Sequence, residues 1–104
     1  MMKKYKLKYL PLAKQDLTEI IEYIQNNLQN PIAAENILNK IENAILDRLD
    51  FPESFAIWES KKTRKYPYRR INVGNYSVWY VVIDDVMEIR RILYSGRNEE
   101  TLLD

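Results

Sequence analysis

The stretch Tyr76-Ser77-Val78-Trp79-Tyr80-Val81-Val82-Ile83-Asp84-Asp85-Val86-Met87-Glu88-Ile89-Arg90-Arg91-Ile92-Leu93-Tyr94 decides how this chain folds. It reads as two strands, 76–83 and 86–94, joined by the two-residue hairpin link Asp84-Asp85. In the first of them Tyr76, Val78, Tyr80 and Val82 face one way, and Trp79, Val81 and Ile83 face the other. Apolar residues on both faces mark a central, largely covered strand. Working outward, residues 68–73 form a preceding strand, connected through Gly74-Asn75. Upstream, residues 53–65 are a charged loop, and Phe51-Pro52-Glu53 is the break before it, because proline disfavours helix at the residue it follows. Further back the period changes from two to 3.6. Ala34, Ile37, Leu38, Ile41, Ala44, Ile45 and Leu49 make one helical stripe, opened by Asn30 as N-cap and Pro31 in the first turn. Ala13, Leu17, Ile20, Ile21, Ile24 and Leu28 make another, opened by Pro11 and broken by Asn26, Asn27 and Asn30. The short link between them predicts an antiparallel helical hairpin. At the start of the chain, Tyr5, Leu7 and Tyr9 alternate with lysines, as in a half-buried strand. The order is β-α-α-β-β-β in a single α+β domain, residues 1–104, with the helical hairpin packed on one face of a mostly antiparallel four-stranded sheet. The other face carries no predicted helix and is expected to be polar or to bind something.

Composition removes whole classes of chemistry. The 104 residues include no His, which excludes the commonest general base, Ser–His and Cys–His nucleophiles and most zinc sites. There is no Cys and hence no disulfide framework. No apolar run of membrane-spanning length and no secretory h-region is present, so a cytoplasmic protein is expected. The net charge of +1 hides a segregation: residues 11–58 carry 3 basic and 8 acidic side chains, whereas residues 59–97 carry 9 basic and 4 acidic ones. The sheet half is therefore basic, with Tyr66, Tyr68, Tyr76, Trp79 and Tyr94 among its charges. Such a face can attract phosphate and stack bases, although the pI of 7.9 is low for a dedicated nucleic-acid domain.

Taken in order, several stretches resemble the RelE/ParE toxin superfamily. They are Tyr5-Lys6-Leu7 with Pro11-Leu12-Ala13, Asp16-Leu17 and Tyr23-Ile24, then Phe51-Pro52-Glu53, Tyr68-Arg69-Arg70-Ile71, Val73-Gly74-Asn75-Tyr76 and Ile89 through Asn98. The resemblance implies the toxin of a type II toxin–antitoxin system, a growth inhibitor associated with plasmid stabilization. It implies a cognate antitoxin as partner in a hetero-oligomer, and neither cofactor, metal nor membrane. The long helical hairpin looks more like the ParE branch, which inhibits DNA gyrase, than the RelE branch, which cuts mRNA in the ribosome.

The RelE chemistry needs a cation at the scissile phosphate and a group that moves protons. Where RelE-like members place an Arg after the residue aligned with Tyr76, this chain has Ser77; where they end in Tyr, it has Leu103. Only Arg97 matches a basic catalytic position of the superfamily. The catalytic candidates, should a rearranged nuclease site exist, are Arg69, Arg70, Tyr94 and Arg97. Lys61, Lys62, Lys65, Arg69 and Arg97 are the candidates for holding a target. Arg69 and Arg70 are adjacent on a strand and must point to opposite faces, one of them free to pair with a helix carboxylate; Arg90 and Arg91 split likewise and are expected in ion pairs or antitoxin contacts. Trp79 is expected as a core anchor and Asp84-Asp85 as turn chemistry rather than a metal pair. The leading reading is a ParE-like gyrase inhibitor. The alternatives are a RelE-like mRNA endonuclease and a degenerate toxin that serves only to bind antitoxin.

Overall fold

Two prolines and one asparagine set the helical half. A computed structural model describes residues 4–96 and 99–103. Pro11 opens helix α1 (Pro11–Glu22), directly after strand β1 (Lys6–Tyr9). The helix continues through one π-helical turn, Tyr23–Asn27, and stops at Gln29, whose φ of 50° no helix tolerates. Asn30 then caps α2 (Pro31–Leu49): its Oδ1 accepts from the Ala33 N–H at 3.0 Å. Both predicted stripes are therefore helical, the first with a wider final turn.

The strands are β2 (Arg69–Val73), β3 (Tyr76–Ile83) and β4 (Val86–Tyr94), followed by one helical turn, α3 (Glu99–Leu102). The sheet order is β1-β4-β3-β2, antiparallel except for the parallel pair β1–β4. The hairpin links use residues that accept a left-handed backbone, Gly74 at φ 56° and Asp84 at φ 55°.

The hairpin covers one sheet face. Ala13, Ile41 and Ile45 from the helices meet Ile71, Val78, Tyr80, Met87, Ile89 and Ile92 from the sheet, all buried. The opposite face is not the open polar surface that the helix count suggested. Tyr68, Trp79, Val81, Leu93 and Leu103 form a second buried cluster there, roofed by Trp58, Tyr66 and Leu102. The loop before β2 and the turn α3 supply that roof, and neither has the long apolar period that announces a helix. Trp79 is the anchor of this second core: it is fully buried and meets Trp58 edge-on at 5.0 Å. Among the described residues no helix is long and apolar enough to cross a membrane.

One irregularity redirects two arginines. Trp79 pairs with Arg91 and Tyr80 with Ile89, so Arg90 is an extra residue in β4, a β-bulge. Without it Arg91 would share the face of Ile89 and project into the first core. The bulge puts Ile92 there instead and turns Arg91 away.

Candidate functional site

Of the arginines in β4, Arg91 is structural. Its Nε and Nη2 donate to the Asp16 carboxylate at 2.7 and 2.9 Å, and its Nη1 donates to the Leu102 carbonyl at 3.0 Å. Asp16 also accepts the Ile92 N–H at 3.0 Å. It stands where β1 has ended and β4 has lost its neighbour on that side, so a helix side chain replaces the missing strand. This pairing holds the Arg91 guanidinium still more firmly in its charged form. Arg90 pairs with Glu88 at 3.2 Å. Both were expected in ion pairs or antitoxin contacts, and both make ion pairs.

Arg69 and Arg70 separate as adjacent strand residues must. Arg69 lies opposite Tyr80 on the helix side, and Arg70 opposite Trp79 on the other. Arg69 Nε donates to the Phe55 carbonyl at 2.9 Å, and it is Arg70 that meets a helix carboxylate, as expected for one of this pair. Arg70 lies 5.4 Å above the Trp79 ring and 3.9 Å from Glu99.

The helix-side arginine belongs to a small cluster that sequence reasoning missed. Arg48, in the last turn of α2, stacks on Phe55 with its guanidinium 3.4 Å from the ring centre. Its Nη1 donates to the Tyr80 hydroxyl at 2.9 Å, and that hydroxyl donates to the Pro52 carbonyl at 2.7 Å. Burial pushes the Tyr80 hydroxyl pKa up, against the opposing pull of Arg48. The hint available in the sequence was a cation in the last turn of the second helix, just before the chain breaks at Phe51-Pro52.

Tyr94 lies elsewhere again. It pairs edge-on with Tyr76 at 5.6 Å, at the mouth of a cleft of about 600 Å³ between α1 and the end of β4. Asp16, Glu19, Tyr23, Leu28 and Ile92 complete the lining. Burial, reinforced by Tyr94 and Tyr23, raises the Tyr76 pKa. Because β1 ends opposite Ile89, the outer edge of β4 beside this cleft carries no strand.

The basic loop is the fourth neighbourhood. Lys61, Lys62 and Lys65 are exposed beside Arg64, which stacks between Trp58 at 5.6 Å and Tyr68 at 5.2 Å. Lys65 sits 5.4 Å from the centre of the Tyr66 ring. Glu100 of α3 lies against this loop and takes hydrogen bonds from Ser60 and the Lys61 N–H. Arg97 lies outside the described residues.

The described catalytic candidates, Arg69, Arg70 and Tyr94, are thus not brought together. Arg69 and Arg70 occupy opposite faces of β2, β3 stands between them and β4, and Tyr94 is at the far end of β4. The two positions where a RelE-like nuclease would carry chemistry are packed away. Ser77 is buried, its Oγ 2.9 Å from Ser95 Oγ, and Leu103 is buried in the second core. Among the described residues no three acidic side chains gather in a way that would hold a metal.

Comparison with known proteins bears on the family and the fold. The family described as the ParE toxin of the type II toxin–antitoxin system parDE matches residues 7–99. No curated protein matches by sequence. Among solved structures, the chromosomal ParDE system of P. aeruginosa superposes with a TM-score of 0.74 at 19% identity, covering 88% of this chain and 97% of that one. The archaeal RelE–RelB complex from Pyrococcus horikoshii OT3 gives 0.54 at 20% identity, over 90% and 98%. YafQ from E. coli strain BL21(DE3) gives 0.56 at 14% identity, over 88% and 94%. At these identities the likeness is one of fold.

Proposed function

This chain belongs to the ParE toxin family of type II toxin–antitoxin systems, and from that membership we propose that it acts in the cytoplasm as a growth inhibitor that captures DNA gyrase rather than cutting RNA. One observation supports the second half of the proposal: Arg69, Arg70 and Tyr94 lie on different faces and ends of the sheet, with Ser77 and Leu103 buried at the positions a RelE-like site would use. Losing one preorganised donor to a developing charge typically costs about 10²–10³ in rate. A site lacking several cannot support efficient cleavage by that route.

The partner in this reading is a cognate antitoxin, a segment that folds as it binds. Two features support a docking place on the helical side. The edge of β4 beyond Ile89 carries no strand, although Asp16 takes its Ile92 N–H. Next to it, Tyr23, Leu28, Ile32 and Tyr94 are large apolar or aromatic side chains left more than half exposed.

The test is to induce the protein without its neighbouring gene. Purified gyrase should then be trapped in its DNA-cleaved state, and cellular mRNA should remain uncut. Transcript cleavage lost on replacing Arg69 or Arg70 would establish the endonuclease reading instead. Normal growth of the induced cells would leave only the antitoxin-binding role.

A further inference from the structure

The segment Ser60–Arg64 is built around an anion. Ser60 Oγ donates to Glu100 Oε1 at 2.8 Å, the Lys61 N–H donates to the same oxygen at 2.9 Å, and Arg64 Nη2 stands 3.9 Å from Glu100 Oε2. Ser60 is itself held in place, accepting from Arg64 Nη1 and, at 3.1 Å, from the Lys62 N–H. A hydroxyl, a backbone amide and a guanidinium converging on one oxyanion are the donors that a phosphate group uses. The anion present is the chain's own: Glu100, on a single helical turn, with its side chain 30% exposed.

The surroundings extend the same chemistry. Two shallow clefts of about 370 and 410 Å³ flank this point and share Lys62, Arg64 and Tyr68 as walls. Trp58 and Ser60 line the first; Lys65, Tyr66 and Arg90 line the second. Lys65 and Arg90 therefore continue the cations on the side of the second cleft, as a phosphodiester strand would need and a lone carboxylate does not, whereas Glu59 lines the first. Leu103 is buried, and Tyr68 Oη and Arg91 Nη1 hold the Leu103 and Leu102 carbonyls. These anchors keep α3 in place when the Glu100 side chain alone swings outward.

We propose that Ser60, the Lys61 amide and Arg64 form a binding site for a phosphate group of a nucleic-acid strand, and that Glu100 occupies this site in the free chain as an intramolecular competitor. The site stands on residues separate from the antitoxin cleft and does not depend on which macromolecule the toxin inhibits.

The experiment uses the full chain and a labelled single-stranded DNA of ten nucleotides, followed by fluorescence anisotropy over a range of salt. Glu100→Gln, which keeps the shape and removes the charge, should tighten binding about tenfold if the carboxylate fills the site nine-tenths of the time. Ser60→Ala in the Glu100→Gln background should reverse that gain, and Arg64→Gln should lower the salt slope by about 0.7 for one lost phosphate contact. Near-ultraviolet circular dichroism checks that each variant keeps the Trp58–Trp79 packing. Inorganic phosphate forms a second arm: competition at millimolar concentration identifies a site for free phosphate as well as for the strand, and its absence identifies a site for the polymer alone. Unchanged affinity in Glu100→Gln overturns the proposal. So does equal binding of a poly-glutamate peptide, which would make this an acidic-protein surface.

Discussion

Replacing Asp16 by Asn keeps the outline of the side chain but removes the charge that Arg91 meets at 2.7 and 2.9 Å. Asp16 is 8% exposed, so its charge is only weakly screened. Breaking one side of such a pair strands the other; the expected loss is about 3 kcal/mol, read as a lower midpoint in urea unfolding. Tyr80→Phe probes the neighbouring cluster more gently. It leaves the Pro52 carbonyl without its 2.7 Å donor and Arg48 with only its 3.4 Å contact to the Arg70 carbonyl, and should cost about 1–2 kcal/mol. Arg70 offers a contrast. Its side chain is 40% exposed and its contact with Glu99 is long, so Arg70→Ala should change stability by less than about 1 kcal/mol. Any larger effect on toxicity would then report on target contact.

At the scale of elements, α3 and the hairpin tip behave differently. Glu100 titrates below its ordinary value of 4.5, chiefly because the Lys61 N–H and Ser60 bond the charged form. Its contacts with Ser60 and the Lys61 N–H are therefore present at neutral pH and are lost as acid protonates the carboxyl. Amide exchange at Lys61 should quicken as pH is lowered through the carboxylate range, after correction for intrinsic rates, before the sheet itself opens. Glu100→Gln should flatten that dependence. The hairpin tip carries no such tie. Ile32 is 73% exposed at the start of α2, so Ile32→Asp should leave unfolding within about 0.5 kcal/mol of the parent. In the proposed antitoxin complex the same change should weaken binding at least tenfold, measurable by calorimetry with the product of the adjacent gene. An unchanged affinity would move the docking place away from this tip.

For the whole molecule, the governing fact is an uneven charge on an almost neutral chain. The helices are acidic and the loop-and-sheet half is basic at a total charge of only +1. The sequence itself showed this asymmetry, along with the order of elements, both hairpin links, the Asn30 cap and the central place of β3. Those features follow from rules acting over a few residues: a period of 3.6 or 2, a proline's fixed φ, a left-handed turn position. The two-sided burial of Trp79 and Tyr80 was legible for the same reason. Where each arginine would go was not. Arg91 finds Asp16 across 75 positions and Glu100 finds Ser60 across 40, and neither pairing leaves a local signal. The bulge at Arg90, which turns Arg91 out of the core, is a mismatch between two strands and belongs to neither one alone. Local sequence chose the helices, the strands and their order. Only packing in three dimensions decided which cations became structural ties, which stayed on the surface, and that the chain's own C-terminal turn would roof the second face of the sheet.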